Sequence, residues 1–121
     1  MSRIYHVLVV DDDPEVRDAL AVTLAAPGVT VLTASDAFEA VRVLVERAID
    51  LMVLDVRMPQ VSGFELARQA RLMRPYMHFV FVSGYYRHDD AIPDRVEGTL
   101  LTKPFRPSEL RSAVERELQI D

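Results

Sequence analysis

Cysteine and tryptophan are both absent from this chain of 121 residues. Without cysteine, a disulfide-stabilised scaffold, a thiolate metal site and a cysteine nucleophile are excluded. Long hydrophobic runs are also absent: the longest apolar stretches have four to five residues, whereas a helix that crosses a bilayer needs roughly 20. The first residues, Met1 to His6, do not form the apolar stretch of a secretion signal. We therefore expect a cytoplasmic protein that does not associate with membranes.

Positive charge is scarce as well. The chain has 14 basic and 19 acidic residues, which gives a formal net charge of -5. Such a surface gains little from a phosphate backbone, so we expect no direct binding to nucleic acid. Lys103 is the single lysine, and the other 13 of these basic residues are arginine.

The remaining composition is that of an ordinary globular protein, with 50% hydrophobic and 27% charged residues. The length suits one compact domain, and neither an internal repeat nor a linker-like stretch interrupts it. We therefore expect residues 1–121 to form a single domain.

Five short apolar runs alternate with stretches of helical periodicity. The predicted strands cover residues 4–10, 29–32, 51–54, 79–82 and 99–102. Several of these runs are apolar on both faces, which is typical of parallel strands buried between helices. The pattern predicts an α/β protein, a doubly wound three-layer sandwich with a five-stranded parallel sheet and about five helices. Because the helical pattern weakens from Tyr85 to Glu97, we predict a fourth helix that is short or irregular, and mobile or remodelled.

Polar side chains follow four of the five predicted strands. They are Asp11, Asp12 and Asp13 after the first strand, Asp55 after the third, Ser83 after the fourth and Lys103 after the fifth. The carboxyl ends of parallel strands lie at one edge of the sheet, where open α/β sheets bind their ligands. We therefore expect several carboxylates, a hydroxyl and an ammonium group to share one crevice.

Clustered carboxylates repel one another and need a cation or a shared proton. Aspartates without histidine or cysteine partners favour a hard ion such as Mg²⁺. An aspartate in such a site can act as a nucleophile towards phosphorus, and lysine and hydroxyl donors can neutralise charge on the phosphoryl oxygens. Each motif alone also has a simpler interpretation, since Asp-Asp-Asp before Pro14 can be a helix cap and Ser83-Gly84 an ordinary turn.

In combination these motifs resemble the receiver domain of two-component response regulators. The resemblance covers the whole chain, with the motifs in receiver-like order and spacing. They are Val7 to Asp13, Asp50 to Pro59 with Gly63, Phe81 to Gly84, and Leu101 to Phe105.

This resemblance implies the strand order 2-1-3-4-5 and a role for each site residue. It makes Asp55 the phosphoacceptor. It also assigns Mg²⁺ to Asp11, Asp12, Asp55 and the backbone carbonyl of Arg57, and either Asp11 or Asp12 can hold the ion through a water molecule. It makes Ser83 a hydrogen-bond donor to a phosphoryl oxygen and pairs Lys103 with the phosphoryl group or with Asp55. It also implies a cis peptide bond between Lys103 and Pro104.

The implied function is a phosphorylation-dependent signalling switch rather than an enzyme with a separate substrate. A histidine kinase or a histidine phosphotransfer protein would donate the phosphoryl group, and the domain would assist its own phosphorylation and dephosphorylation. Phosphorylation would draw Ser83 inward and change the surface formed by the fourth helix, fifth strand and fifth helix. The downstream partner is not specified.

The chain departs from the family pattern in two places, which are the weak helical stretch from Tyr85 to Glu97, where a regular fourth helix is expected, and the position of Leu100. Receivers commonly carry tyrosine or phenylalanine three residues before the lysine, and here that position is Leu100. An aromatic switch at this position is therefore in doubt. Tyr85 or Tyr86 are the alternatives for such a role, although both also fit ordinary surface positions.

Two other functions remain open at this stage. A receiver-like module that binds a partner without phosphorylation would usually lack some acidic residues, which this chain retains. A phosphatase with an aspartate nucleophile would carry a second aspartate two residues later, where this chain has Arg57. The chain can equally be a stand-alone receiver, a phosphorelay shuttle or one domain of a larger regulator.

Overall fold

The computed structural model describes residues 3–84 and 97–119. In these ranges the elements are β1 (Tyr5–Val10), α1 (Pro14–Leu24), β2 (Val29–Ala34), α2 (Ala37–Glu46), β3 (Leu51–Asp55), α3 (Gly63–Met73), β4 (His78–Ser83), β5 (Thr99–Thr102) and α4 (Pro107–Leu118). All five predicted strands are present, and their ends agree with the prediction to within two residues.

The strands form one parallel sheet in the order β2-β1-β3-β4-β5, which confirms the expected topology. From β1 the chain first adds β2 on one side and then places β3 on the other side. The carboxyl ends of β1 and β3 therefore flank the point where the strand order reverses, which is where doubly wound sheets bind ligands.

Helices cover both faces of the sheet, as the near-continuous apolar strands predict. Successive side chains of a strand point to opposite faces. Leu8 and Val10 thus pack in one core cluster with residues of α2 and α3, whereas Val7 and Val9 pack in a second cluster with residues of α1 and α4. All four side chains are fully buried, and burial of each stabilises the fold by roughly 1.5–3 kcal/mol.

Short polar side chains set the start of three helices close to the ends of strands. Asp13 caps α1, Asp36 caps α2 and Ser62 caps α3, each by accepting a hydrogen bond from a backbone N–H in the first turn. Because α1 begins four residues after β1 ends, the segment between them is held tightly at the sheet edge.

The described residues contain four helices, where the sequence predicts about five. The short or irregular helix predicted for Tyr85 to Glu97 lies outside the described residues, apart from Glu97, which belongs to neither a helix nor a strand.

Candidate functional site

Three aspartates meet at the edge of the sheet between β1 and β3. Asp11 follows β1 directly and Asp55 is the last residue of β3, so the pairing of these strands brings their side chains together. Asp11, Asp12 and Asp55 each offer a carboxylate oxygen, and these atoms all lie within 4.8 Å of one another. Asp11 is buried, Asp55 is partly buried and Asp12 is exposed, so the cluster is open to solvent on one side.

The two carboxylate oxygens of Asp11 have different surroundings. Its Oδ1 accepts a hydrogen bond of 2.9 Å from the backbone N–H of Asp13. Its Oδ2 is buried and has no hydrogen-bond partner in the structure, which is costly for a charged oxygen. A cation would supply the missing partner, and a set of three carboxylates suits a hard ion such as Mg²⁺.

The third aspartate of the acidic run has a separate role. Asp13 Oδ1 accepts hydrogen bonds from the backbone N–H groups of Glu15 at 2.9 Å and Val16 at 3.5 Å. The helix-cap interpretation of the Asp-Asp-Asp motif therefore applies to Asp13, while Asp11 and Asp12 lie in the cluster.

Asp55 is fixed by the turn that follows β3. Its Oδ1 accepts a hydrogen bond of 3.1 Å from the backbone N–H of Arg57. The helix α3 begins directly against this turn, since a Cβ atom on Gly63 would lie 2.3 Å from the backbone oxygen of Asp55. Glycine at position 63 is thus required for α3 to approach Asp55 so closely.

Ser83 and Lys103 complete the site from the neighbouring strands. Ser83 ends β4 and is 1% exposed. The backbone N–H of Lys103 donates to the carbonyl oxygen of Ser83 at 2.8 Å, which ties the end of β5 to the end of β4. Lys103 itself is half-buried, and its peptide bond to Pro104 is cis.

Burial is the main reason that the pKa values of Asp11 and Asp55 lie above their ordinary value of 3.8. Hydrogen bonds from backbone N–H groups and the positive charge of Lys103 lower both pKa values, and the negative charge of Asp12 raises both. The net shift is upward in each case. The fully ionised cluster is therefore electrostatically unfavourable unless a cation joins it.

The other predicted positions are Arg57, Leu100, Tyr85 and Tyr86. Arg57 is exposed and its backbone N–H contacts Asp55, while the role of its carbonyl as a metal ligand stays a prediction. Leu100 is partly buried, pairs with Phe81 and packs against the core cluster that contains α2 and α3. Tyr85 and Tyr86 lie outside the described residues.

One contact at the site involves a residue that the sequence motifs do not indicate. The Nη1 atom of Arg17, in the first turns of α1, donates a hydrogen bond of 2.9 Å to the backbone oxygen of Asp11. The only sequence signal is the spacing of six residues from Asp11, which returns a long side chain on α1 to the end of β1.

The chain is thus a small α/β domain with an open parallel sheet. Three carboxylates lie where its strand order reverses, and a buried serine and a lysine follow the next two strands. Such a site suits a cation and a phosphoryl group. Residues 7–115 of the chain match the sequence pattern of one protein family, the response regulator receiver domain. The chain belongs to this family. It is therefore a domain of phosphorylation-dependent two-component signalling.

Curated relatives agree with this assignment. The chain is 31% identical over 116 residues to the transcriptional regulatory protein GlrR of Escherichia coli (strain K12), a match that covers 94% of this chain and 26% of GlrR. It is 31% identical over 107 residues to the response regulator SaeR of Staphylococcus epidermidis, which covers 87% of this chain and 46% of SaeR. The chain thus spans about a quarter to a half of the length of these relatives.

Solved structures with the same fold include two informative neighbours. A CheY-like receiver domain protein from Methanospirillum hungatei has a TM-score of 0.82 and 26% identity, with 96% of this chain and 94% of that chain covered. The response regulator TrrA from Thermotoga maritima, solved in complex with Mg²⁺-BeF, has a TM-score of 0.83 and 27% identity, with 93% and 98% covered.

Across residues 3–84 and 97–119, each helix is too short or too polar to cross a lipid bilayer.

Proposed function

We propose that Asp55 accepts a phosphoryl group from a phosphohistidine and that the chain acts as a switch controlled by this modification. The observation that carries the proposal is the buried, unpartnered Oδ2 of Asp11 within a cluster that includes Asp12 and Asp55. Such a cluster favours a divalent cation, and a cation beside a carboxylate nucleophile is the arrangement that phosphoryl transfer needs.

Mg²⁺ is the proposed cofactor, held by Asp11, Asp12, Asp55 and the backbone carbonyl of Arg57. The donors are all oxygen, which suits Mg²⁺, and the solved TrrA neighbour is a complex with Mg²⁺-BeF. When bound, the ion supplies positive charge that offsets the negative charge of the carboxylates and of an incoming phosphoryl group.

In the proposed reaction a carboxylate oxygen of Asp55 forms a bond to phosphorus while the bond from phosphorus to the donor imidazole nitrogen breaks. The leaving histidine ends as neutral imidazole, with its proton either already present on the other ring nitrogen or taken up from solvent. Lys103 places its positive charge near Asp55 and lowers the energy of the negatively charged oxygens. The Ser83 hydroxyl donates a hydrogen bond to a phosphoryl oxygen, which draws the end of β4 towards Asp55.

The same groups support a self-limiting signal. We propose that the domain assists its own phosphorylation and, through attack of water on the acyl phosphate, its own dephosphorylation, and that it has no separate substrate. The absence of an aromatic ring at Leu100 means that an aromatic switch at this position is not part of the proposal.

The proposed donor is a histidine kinase or a histidine phosphotransfer protein, and the downstream partner is a protein of unspecified identity. The net charge of -5 is the reason that we propose no direct nucleic-acid contact by this domain. We further propose that residues 1–121 form one receiver domain, because the family match covers residues 7–115 and the strands form a single sheet. We also propose that this domain acts in the cytoplasm.

Intact mass spectrometry after incubation with Mg²⁺ and a small phosphodonor such as acetyl phosphate tests the proposal. We expect one phosphoryl group to be added to the wild-type chain and none to Asp55→Asn or to the wild type with a chelator. An unmodified wild-type chain at every Mg²⁺ concentration would instead support a binding module that works without phosphorylation.

A further inference from the structure

We propose that Arg17 is a positioning residue for the cation site and that it acts through the backbone of Asp11. This inference rests on the proposed function, because it assigns a role in Mg²⁺ binding to a residue that touches neither the ion nor the phosphoryl group. The juxtaposition that supports it is the hydrogen bond of 2.9 Å from Arg17 Nη1 to the Asp11 backbone oxygen.

Asp11 lies just beyond the last residue of β1, where the regular strand pairing ends. Its backbone N–H still donates to the carbonyl oxygen of Ala34, at the end of β2, at 3.2 Å. Its own carbonyl oxygen receives the Arg17 guanidinium instead of a strand partner. Both sides of the Asp11 backbone are therefore held, one by β2 and the other by α1.

The peptide group after Asp11 decides how Asp12 and Asp13 lie relative to the Asp11 carboxylate. This group carries the oxygen that Arg17 binds, and its planar unit turns by rotation about the Cα–C bond of Asp11, which leaves the Asp11 Cβ in place. Loss of the Arg17 bond allows that rotation. It would move Asp12, and the Asp13 N–H that donates to Asp11 Oδ1, away from an arrangement in which the three carboxylate oxygens lie within 4.8 Å of one another.

Arg17 is itself well fixed. Its backbone N–H donates to the carbonyl oxygen of Asp13 at 2.9 Å as part of the first turn of α1, and its side chain is partly buried. The planar guanidinium offers donors in a rigid arrangement, which suits a fixed carbonyl acceptor. Groups that hold a metal ligand without touching the metal typically change metal affinity by about 10- to 100-fold when they are removed.

Arg74 offers a matched control. Its Nη2 atom donates a hydrogen bond of 2.7 Å to the backbone oxygen of Leu44, and its side chain is also partly buried. This bond joins the end of α3 to α2 and involves none of the clustered aspartates. The change Arg74→Met therefore removes a similar arginine-to-carbonyl bond without affecting the cation site.

The test is isothermal titration calorimetry with MgCl₂ on wild type, Arg17→Met, Arg17→Lys and Arg74→Met, each well below its Tm. Methionine keeps most of the apolar stem of arginine, while lysine keeps a charged donor. We expect the Mg²⁺ Kd to rise about tenfold in Arg17→Met, to be partly restored in Arg17→Lys, and to stay within about twofold of wild type in Arg74→Met. Arg17→Gln is a second variant for the same comparison if Arg17→Met does not fold.

A second readout separates positioning from general loss of stability. The Mg²⁺ concentration for half-maximal phosphorylation by acetyl phosphate should rise in Arg17→Met in step with the Kd, while the rate at saturating Mg²⁺ approaches that of wild type. Equal Mg²⁺ affinities in Arg17→Met and Arg74→Met would overturn the role of Arg17. A wild-type chain that binds no Mg²⁺ would overturn the proposed cation site itself, which is a different result.

Discussion

Asp11 and Asp55 carry negative charge at positions where the fold leaves them little water. Burial raises the pKa of both carboxyl groups, and the nearby charge of Asp12 raises both further. Lys103 is too weak a counter-charge to reverse these shifts. The clustered aspartates therefore favour binding of a cation. In the absence of a cation they lower the free energy of unfolding.

Replacing one of these charges by a neutral side chain of the same shape should stabilise the cation-free protein. We expect Asp11→Asn to raise the free energy of unfolding at pH 7 by on the order of 1 kcal/mol in the presence of a chelator, because it removes both the burial cost and the repulsion. Chemical denaturation is the measurement, with Asp18→Asn on the exposed side of α1 as the control. A loss of stability in Asp11→Asn would contradict the proposed electrostatic cost.

The same shift predicts a pH dependence. Because the pKa of Asp11 in the folded chain lies above its ordinary value of 3.8, the native state binds more protons than the unfolded state between these two values. The stability from this group is fully present below pH 3.8 and is lost as the pH rises through the folded pKa. The Tm advantage of Asp11→Asn should therefore grow as the pH rises to 7, and an advantage that shrinks would contradict the direction of the shift.

At the scale of elements, the first residue of α3 packs directly against the backbone at the end of β3. A Cβ atom at Gly63 would lie 2.3 Å from the backbone oxygen of Asp55, whereas the nearest contact of one at Gly84, among residues 3–84 and 97–119, would be the Lys103 side chain at 3.8 Å. The first distance requires a backbone shift and the second is ordinary contact. The segment that carries Asp55 therefore tolerates no side chain at the first residue of α3.

We expect Gly63→Ala to destabilise the protein by about 1–3 kcal/mol and to slow phosphorylation of Asp55, since α3 must move away from the β3 turn. Gly84→Ala, at the same edge of the sheet, should change stability by no more than about 0.5 kcal/mol. Urea denaturation and the acetyl phosphate reaction measure the two effects. Equal behaviour of both variants would show that the close approach at Gly63 is not required.

The loop between β3 and α3 contains one residue in the left-handed region. Gln60 has a φ of 74°, which costs a side chain about 1–2 kcal/mol and costs glycine almost nothing. Glycine also makes the unfolded chain more flexible, which offsets about 0.4–1 kcal/mol of this gain. The loop that follows Asp55 in the chain therefore carries local strain.

We expect Gln60→Gly to raise the free energy of unfolding by up to about 1 kcal/mol. The same substitution at Gln69, an exposed position within α3, should lower it by about 1 kcal/mol because glycine disfavours a helix. The two variants thus have opposite signs in one denaturation experiment. Destabilisation by both would show that the φ of Gln60 carries no strain.

At the scale of the whole molecule, the sheet and its polar edge were predictable from the sequence. Strand periodicity located all five strands, and the polar residues that follow four of them indicated the edge where Asp11 and Asp55 meet. The strand order came from the family resemblance, since hydrophobic pattern alone does not distinguish the possible orders. These features follow from local pattern and from rules that hold for many sheets.

Other features depend on three-dimensional distances and were not predictable. The position of Asp13 directly before Pro14 indicates a helix cap, but the sequence does not show that Asp11 Oδ2 is buried without a hydrogen-bond partner. The bond from Arg17 to the Asp11 backbone also gives no motif, since many arginines occur on helices. Helix α3 approaches Asp55 closely at Gly63, and although the sequence marks Gly63 as part of a family motif, it does not show this contact.

Cation binding should stabilise the molecule as a whole. A ligand that binds only the native state adds about 2.7 kcal/mol when its concentration is 100 times its Kd. We expect MgCl₂ to raise the Tm of wild type and to have little effect on Asp11→Asn, in differential scanning calorimetry with NaCl of equal ionic strength as the control. A similar increase in both proteins would indicate a general salt effect rather than a site at Asp11.

The identity of the modified residue is the most direct test of the proposed switch. After reaction with Mg²⁺ and acetyl phosphate, borohydride converts an acyl-phosphorylated aspartate to homoserine, which tandem mass spectrometry locates in tryptic peptides. The sequence predicts one peptide of residues 48–57, with Asp50 and Asp55, and another of residues 4–17, with the acidic run. We expect homoserine at position 55 alone, and its loss when a chelator is present. Homoserine at Asp11, Asp12 or Asp50 instead of Asp55 would contradict the assignment of the phosphoacceptor.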